Sequence, residues 1–223
     1  MAVCHTIVTS KDPKDESKNI LNSSSPDELA LINGAKYSGI HFEERTGEGL
    51  IILKRDYRTV KYRLLNVIEF TSDRKRMTVI VRTPENKIKV ICKGADAVLT
   101  PLLADNQRNR ELIQKTMDHL YEYATIGLRT LMICEKQIDE VSYKEWHKVY
   151  ESAKVAINNR EAKIRSAVAQ IEKDLELVGA TAIEDMLQDE VGETIQSVKE
   201  AGVKFWMLTG DKLETAINIG FSC

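Results

Sequence analysis

Three clusters in the sequence hold residue types that could do chemistry. In Cys92-Lys93-Gly94-Ala95-Asp96 an apolar run, Ile88 to Ile91, ends in a lysine and then a glycine. Glycine admits φ > 0 or the close approach of a ligand, and Asp96 can cap a following helix, so the Lys93 ammonium could sit over a pocket. The plainer alternative is a solvated strand end. Thr209-Gly210-Asp211 follows the apolar run Phe205-Trp206-Met207-Leu208 and precedes a helical pattern. At the carboxyl end of a strand in an open α/β sheet, a threonine hydroxyl and the amides of a helix start can bind a phosphoryl oxygen. A turn capped by Asp211 explains the same residues. In Glu69-Phe70-Thr71-Ser72-Asp73-Arg74-Lys75-Arg76-Met77 a strand ends in an aromatic and a basic loop follows. Phe70 could offer its face to a planar base, worth about 0.5 to 1.5 kcal/mol beyond burial, or could be core. The basic triplet is either a solvated hairpin loop or part of an anion site. Arg129, in Gly127-Leu128-Arg129-Thr130-Leu131, could clamp a phosphate or join a surface ion pair.

These residues need elements to hold them. Apolar patterning predicts strands around Leu50 to Leu53, Leu64 to Phe70, Met77 to Val81 and Ile88 to Ile91, with Thr83 to Lys87 as a hairpin connection, hence an antiparallel sheet. Ser25-Pro26-Asp27-Glu28 reads as a helix start, with Ser25 as N-cap and Glu28 where a capping-box carboxylate belongs. Further helices are expected from about Arg108 to Thr125, closed by Gly127, and from about Ser142 to Lys173, with Ile157, Ile164, Val168 and Ile171 on one face. Another apolar strand follows Arg129, and Thr9 to Ser25 is polar enough to be a mobile loop. From Leu175 the pattern changes to strand (Leu175 to Ile183), helix (Asp189 to Ala201, stopped by Gly202), strand (Val203 to Leu208) and helix (Lys212 onward). That order predicts a parallel βαβ unit too short for a closed sheet, so Cys223 reads as a cut inside a domain.

Composition narrows the function classes. A chain of 223 residues, 43% hydrophobic, can bury one sizeable core or one and part of another. Its 32 basic and 34 acidic residues give a net charge of -2, which argues against a surface built on nucleic-acid phosphates. Cys4, Cys92, Cys134 and Cys223 form no Cys-x-x-Cys pair and read as reduced thiols in a cytosolic setting. With no run long enough to span a bilayer and no signal-peptide layout, the chain as given is expected to be soluble.

Taken together, the segments resemble the nucleotide-binding domain of P-type ATPases, most closely the type-IV class, the phospholipid flippases. The matching stretches are Cys4-His5-Thr6-Ile7-Val8, Ser25-Pro26-Asp27-Glu28-Leu29-Ala30-Leu31, the Glu69 to Met77 segment, Cys92 to Asp96 and Gly127 to Leu131. Gly179-Ala180-Thr181-Ala182-Ile183-Glu184-Asp185 and Leu208-Thr209-Gly210-Asp211-Lys212-Leu213-Glu214-Thr215-Ala216 complete the set. A Lys-Gly-Ala string would also suit a cation pump, whereas the Ser-Pro-Asp-Glu and Arg-Lys-Arg-Met segments point to flippases.

The resemblance implies an α/β fold: an α+β nucleotide-binding domain, residues 1–180, with a helix-flanked antiparallel sheet. A partial phosphorylation domain, residues 181–223, would follow as a Rossmann-like βαβ segment of haloacid dehalogenase type. It also implies roles. Phe70 would stack on adenine, Glu28 would approach the base while also capping its helix, and Lys93 would line the adenosine and phosphate pocket. Arg129 would reach the phosphates, Asp185 would bind the nucleotide from the hinge, and Thr209, Gly210 and Asp211 would form an incomplete catalytic phosphate site of the phosphorylation domain. Met186 departs from the basic residue usual after the Glu-Asp pair. The ligand would be ATP, with Mg2+ in the full-length protein held by aspartates outside this chain. The Asp-Lys-Thr-Gly-Thr string carrying the family's phosphorylated aspartate is absent from the sequence, so the isolated chain is expected to bind ATP without hydrolysing it. Its parent would be a membrane protein with this part on the cytosolic face. Phospholipid would be handled by an absent membrane domain, and an accessory subunit is a further possible partner. A cation pump and a fold-retaining module without nucleotide binding are the alternatives. Lys93→Ala is expected to weaken ATP binding without unfolding the domain.

Overall fold

In the computed structural model the described residues are 1–223 except Asp185, Asp211 and Lys212, and except the side chains of Glu16, Ser17, Lys18 and Glu214. In chain order the elements are β1 (Val8–Asp12), β2 (Asp15–Asn22), α1 (Pro26–Tyr37), β3 (Ile40–Arg45), β4 (Leu50–Arg55), β5 (Arg58–Ile68), β6 (Arg76–Arg82) and β7 (Ile88–Gly94). There follow α2 (Asp96–Leu99), α3 (Gln107–Thr125), β8 (Arg129–Ile138), α4 (Glu140–Lys154), α5 (Arg160–Ile171), β9 (Glu176–Ile183), α6 (Val191–Glu200) and α7 (Leu213–Ser222). Among the described residues β1 and β2 form a two-stranded ribbon, and β3 to β9 form a seven-stranded sheet in sequence order with every neighbouring pair antiparallel.

Residues 77–81 of β6 are buried one after another, because helices cover both faces of the sheet. On one face Met77, Val79 and Val81 pack with Ile32 and Ala35 of α1 and with Cys4 and Ile7 of the N-terminal segment. On the other, Ile80, Ile88 and Val90 meet Trp146 and Tyr150 of α4 and Val168 and Ile171 of α5, while Cys92, Met132, Cys134 and Leu177 meet Leu120 of α3. The three buried thiols are free cysteines, as is the exposed Cys223. Burial pushes the Cys4 thiol up to about 11 and Cys134 up to about 12, and raises Cys92 as well, so they behave as small apolar fillers.

Four expectations are corrected. Leu175 to Ile183 does not open a parallel unit: β9 pairs antiparallel with β8, from Arg129 opposite Ile183 to Glu135 opposite Glu176, and is the last strand of the main sheet. Val203 to Leu208 is exposed and forms no strand, so no parallel βαβ segment is present among the described residues. The expected single helix from Ser142 to Lys173 is two, α4 and α5, joined where Asn159 turns left-handed at φ 53°, and Ile157 is 96% exposed instead of sharing the stripe. Thr9 to Ser25 is the β1–β2 hairpin, whose polar composition suits a ribbon that stands outside the main sheet.

Candidate functional site

β7 delivers Lys93 to the end of the sheet, between Met77 of β6 and Ile133 of β8. Its ammonium is not in bulk water: Nζ donates to Glu28 Oε1 at 2.7 Å, and both side chains are only 10% exposed. The other oxygen, Glu28 Oε2, accepts from the Thr6 amide and hydroxyl, each at 2.8 Å. Burial alone would raise the Glu28 carboxyl. The hydrogen bond and charge of Lys93, together with the Thr6 donors, outweigh it and hold the group below the ordinary carboxylate value. The capping-box expectation therefore fails. Ser25 is the N-cap but makes no side-chain cap bond, and Glu28 serves residues far from its own helix start.

Next to it in sequence, Asp27 accepts from Arg129 Nη1 at 3.0 Å. Successive helix residues point about 100° apart, so one turn of α1 hands its two carboxylates to cations from two strands, β7 and β8. In both ion pairs the carboxylate occupies a position that an incoming anion would need. The cavity beside Lys93, lined by Cys4, Leu31, Ile91, Leu131 and Ile133, measures about 10 Å³, room for one water. Anything larger than a water could meet these residues only over the rim of this end of the sheet.

Gly94 sets that rim. A Cβ there would fall 2.5 Å from Arg76 Cβ and 2.6 Å from the Lys75 carbonyl oxygen, so the glycine admits the approach of β6 rather than of a ligand. The Ala95 amide donates to that same carbonyl at 3.1 Å. Ala95, not Asp96, is the N-cap of α2. β5 stops at Ile68, so Phe70 lies in the loop beyond it, 59% exposed. The basic triplet is not a solvated loop throughout. Arg74 Nη2 donates to Glu172 Oε1 at 2.5 Å and Arg76 Nε to Oε2 at 2.8 Å, which leaves Lys75 as its exposed member.

The structure thus brings Glu28 and Lys93 into contact, pairs Arg129 with Asp27 beside them, and closes the Phe70 loop onto Gly94. Thr209 and Gly210 are exposed in the segment between α6 and α7, while Asp185 and Asp211 lie outside the described residues. Thr6, Asp27 and Glu172 were missed. Asp27 belongs to the Ser25 to Leu31 stretch, but only its partner marks it; Glu172 carries no local signal at all. A larger depression of about 510 Å³, lined by Leu50, Lys61, Arg63, Arg82 and Pro84, is at the opposite end of β6 and holds none of these residues.

The family model described as P-type ATPase, cytoplasmic domain N, matches residues 1–190. The chain is 44% identical over 225 residues to phospholipid-transporting ATPase DNF1 of Chaetomium thermophilum, covering all of this chain and 14% of that protein. It is 45% identical to phospholipid-transporting ATPase DRS2 of Saccharomyces cerevisiae, again over all of this chain and 16% of the relative. Identity is also 45% with the probable phospholipid-transporting ATPase IM of Homo sapiens, over 18% of its length. The chain spans less than a fifth of the curated relatives it matches.

Proposed function

The chain belongs to the P-type ATPases, as their cytoplasmic domain N, and we propose that it binds ATP where Phe70, Lys93, Glu28 and Arg129 gather and presents the γ-phosphate to an aspartate outside this chain. The observation that carries the reading is the Lys93–Glu28 pair at the end of β7, flanked by the Arg129–Asp27 pair and by a loop that exposes Phe70. Phosphate oxygens can take the place of carboxylate oxygens on both cations, since Arg and Lys bind either anion with charge-assisted hydrogen bonds. The exposed ring offers a face to adenine.

Transfer of a phosphoryl group depends mainly on positioning and on neutralising charge, so a domain that only holds ATP contributes by setting the direction of the γ-phosphate. Among the described residues no group of three or more His, Cys, Asp and Glu side chains could hold a metal ion. We further place the start of the phosphorylation domain, with Thr209, Gly210 and Asp211 as part of its phosphate site and Asp185 at the hinge, in residues 181–223. β9 runs through that boundary to Ile183. The cargo proposed for the parent is a phospholipid, after the names of the matched relatives, with this domain on the cytosolic face of the membrane and other domains as partners. No helix among the described residues is long and apolar enough to cross a membrane.

One stacking contact and one or two charge-assisted hydrogen bonds, offset by ordering costs, give an affinity on the order of 0.1 to 1 mM. Titrating the chain with ATP should shift the amides around Phe70, Lys93 and Arg129. Silence there at several millimolar ATP would overturn the reading and leave a fold-retaining module without nucleotide binding.

A further inference from the structure

We propose that Glu172 is a positioning residue for the nucleotide: it clamps the loop between β5 and β6 and thereby holds the Phe70 ring outward for the base. The proposal rests on the ATP-binding reading above and extends it to a residue about 100 positions further along the chain than the ring it serves. Glu172 caps the C-terminus of α5 and is 0% exposed. Its carboxylate accepts from Arg74, from Arg76 and from the Thr78 hydroxyl, so one buried anion gathers the last part of the loop and the first residues of β6.

Other contacts complete the clamp. The Lys75 amide donates to the Thr71 carbonyl at 2.8 Å, and the Arg74 amide to Thr71 Oγ1 at 3.3 Å, which closes the loop on itself. Thr78 lies opposite Ile68, the last residue of β5, so Glu172 also touches the strand pair from which Phe70 departs. The Lys75 carbonyl is then tied to Ala95 across Gly94, beside Lys93.

The loop is held in this shape at a cost. Lys75 adopts φ 48°, and Arg74 Nε is buried without a hydrogen-bond partner among the described residues. A buried carboxylate with two arginines is seldom the most stabilising way to fill such a space, since apolar residues of similar volume do as well or better. What the ionic arrangement adds is a fixed loop whose aromatic stays 59% exposed and already ordered before a ligand arrives.

A double-mutant cycle on the 223-residue chain separates positioning from plain stability. ATP affinity is measured by amide-shift titration for the wild type, Glu172→Gln, Phe70→Ala and the double variant. Glu172→Gln should weaken ATP about fivefold when Phe70 is present and change it by less than about 1.5-fold when Phe70 is alanine, because its effect passes through the ring. Equal losses in both backgrounds, or no loss in either, overturn the proposal. If Glu172→Gln does not fold, Arg74→Gln, which leaves Arg76 and Thr78 on the carboxylate, is read in the same cycle with the same two outcomes. A wild-type chain that ignores ATP sinks the nucleotide reading itself. In that case faster hydrogen exchange of the Thr71 to Lys75 amides in Arg74→Gln still supports the clamp, and unchanged exchange overturns it.

Discussion

Lys93 stands next to last in the apolar strand β7, and its ammonium meets a carboxylate from a distant part of the chain. Glu28 is 65 positions away, and the pairing exists only because the fold brings the first turn of α1 to the residues Lys93 of β7 and Arg129 of β8. The pairing changes what a mutation does. Lys93→Ala leaves the Glu28 carboxylate almost buried with two Thr6 donors and no cation, so the variant should lose about 2 kcal/mol of stability in urea unfolding, as well as ATP affinity. Adding Glu28→Gln to Lys93→Ala should recover part of that stability, since the uncompensated charge is gone. A Lys93→Ala chain as stable as the wild type would mean the ion pair is energetically neutral. The basic triplet teaches the same point. The string Arg-Lys-Arg advertises a charged loop, yet two of its cations are consumed by Glu172, whose own neighbours in sequence say nothing of the loop.

At the scale of elements, strands β4 to β7, the Thr83 to Lys87 hairpin and helices α1, α3, α6 and α7 follow from periodicity and from stop signals such as Gly127 at φ 83° and Gly202 at φ 78°. Periodicity reports that a face is buried, but not which strand a neighbour pairs with or in which direction. β9 therefore passed for the opening of a parallel unit, although it completes the antiparallel sheet. The break between α4 and α5 was hidden because both helices present apolar residues to the same sheet face. Gly94 was expected to make room for a turn or a ligand, and it makes room for a strand. Gly94→Ala should thus cost about 3 kcal/mol, the clash being with backbone and Cβ atoms of Lys75 and Arg76 that cannot swing aside. The urea midpoint measures it, and a loss below about 0.5 kcal/mol would show that β6 can shift.

For the whole molecule, the clearest expectation concerns acid. His5 is 1% exposed, and burial, helped by the Arg45 charge, lowers it from 6.5 to about 4. Its neutral ring donates from Nε2 to the Ala2 carbonyl and accepts the Ile7 amide at Nδ1. The unfolded chain takes up this proton first. Stability is then full above pH 6.5 and declines toward pH 4, by about 3 kcal/mol if His5 acts alone. Glu28 adds a second loss at lower pH. Its folded value lies below 4.5, so its contribution is present above that pH and disappears as pH falls through the folded value. Thermal melts from pH 7 to pH 3 should show both phases, and His5→Gln should remove the first. An unchanged melting temperature between pH 6.5 and pH 4 would contradict the burial of a neutral His5. By itself the sequence determined the kind of chain this is, its main sheet strands and the residue types that could meet a nucleotide, because those follow from local patterning and from strings read in order. Only the tertiary structure decided that Asp27 and Glu28 hold the cations of two strands and that Glu172 holds the loop bearing Phe70. Such pairings join residues dozens of positions apart, and they depend on how helices pack across a sheet, which no local pattern encodes.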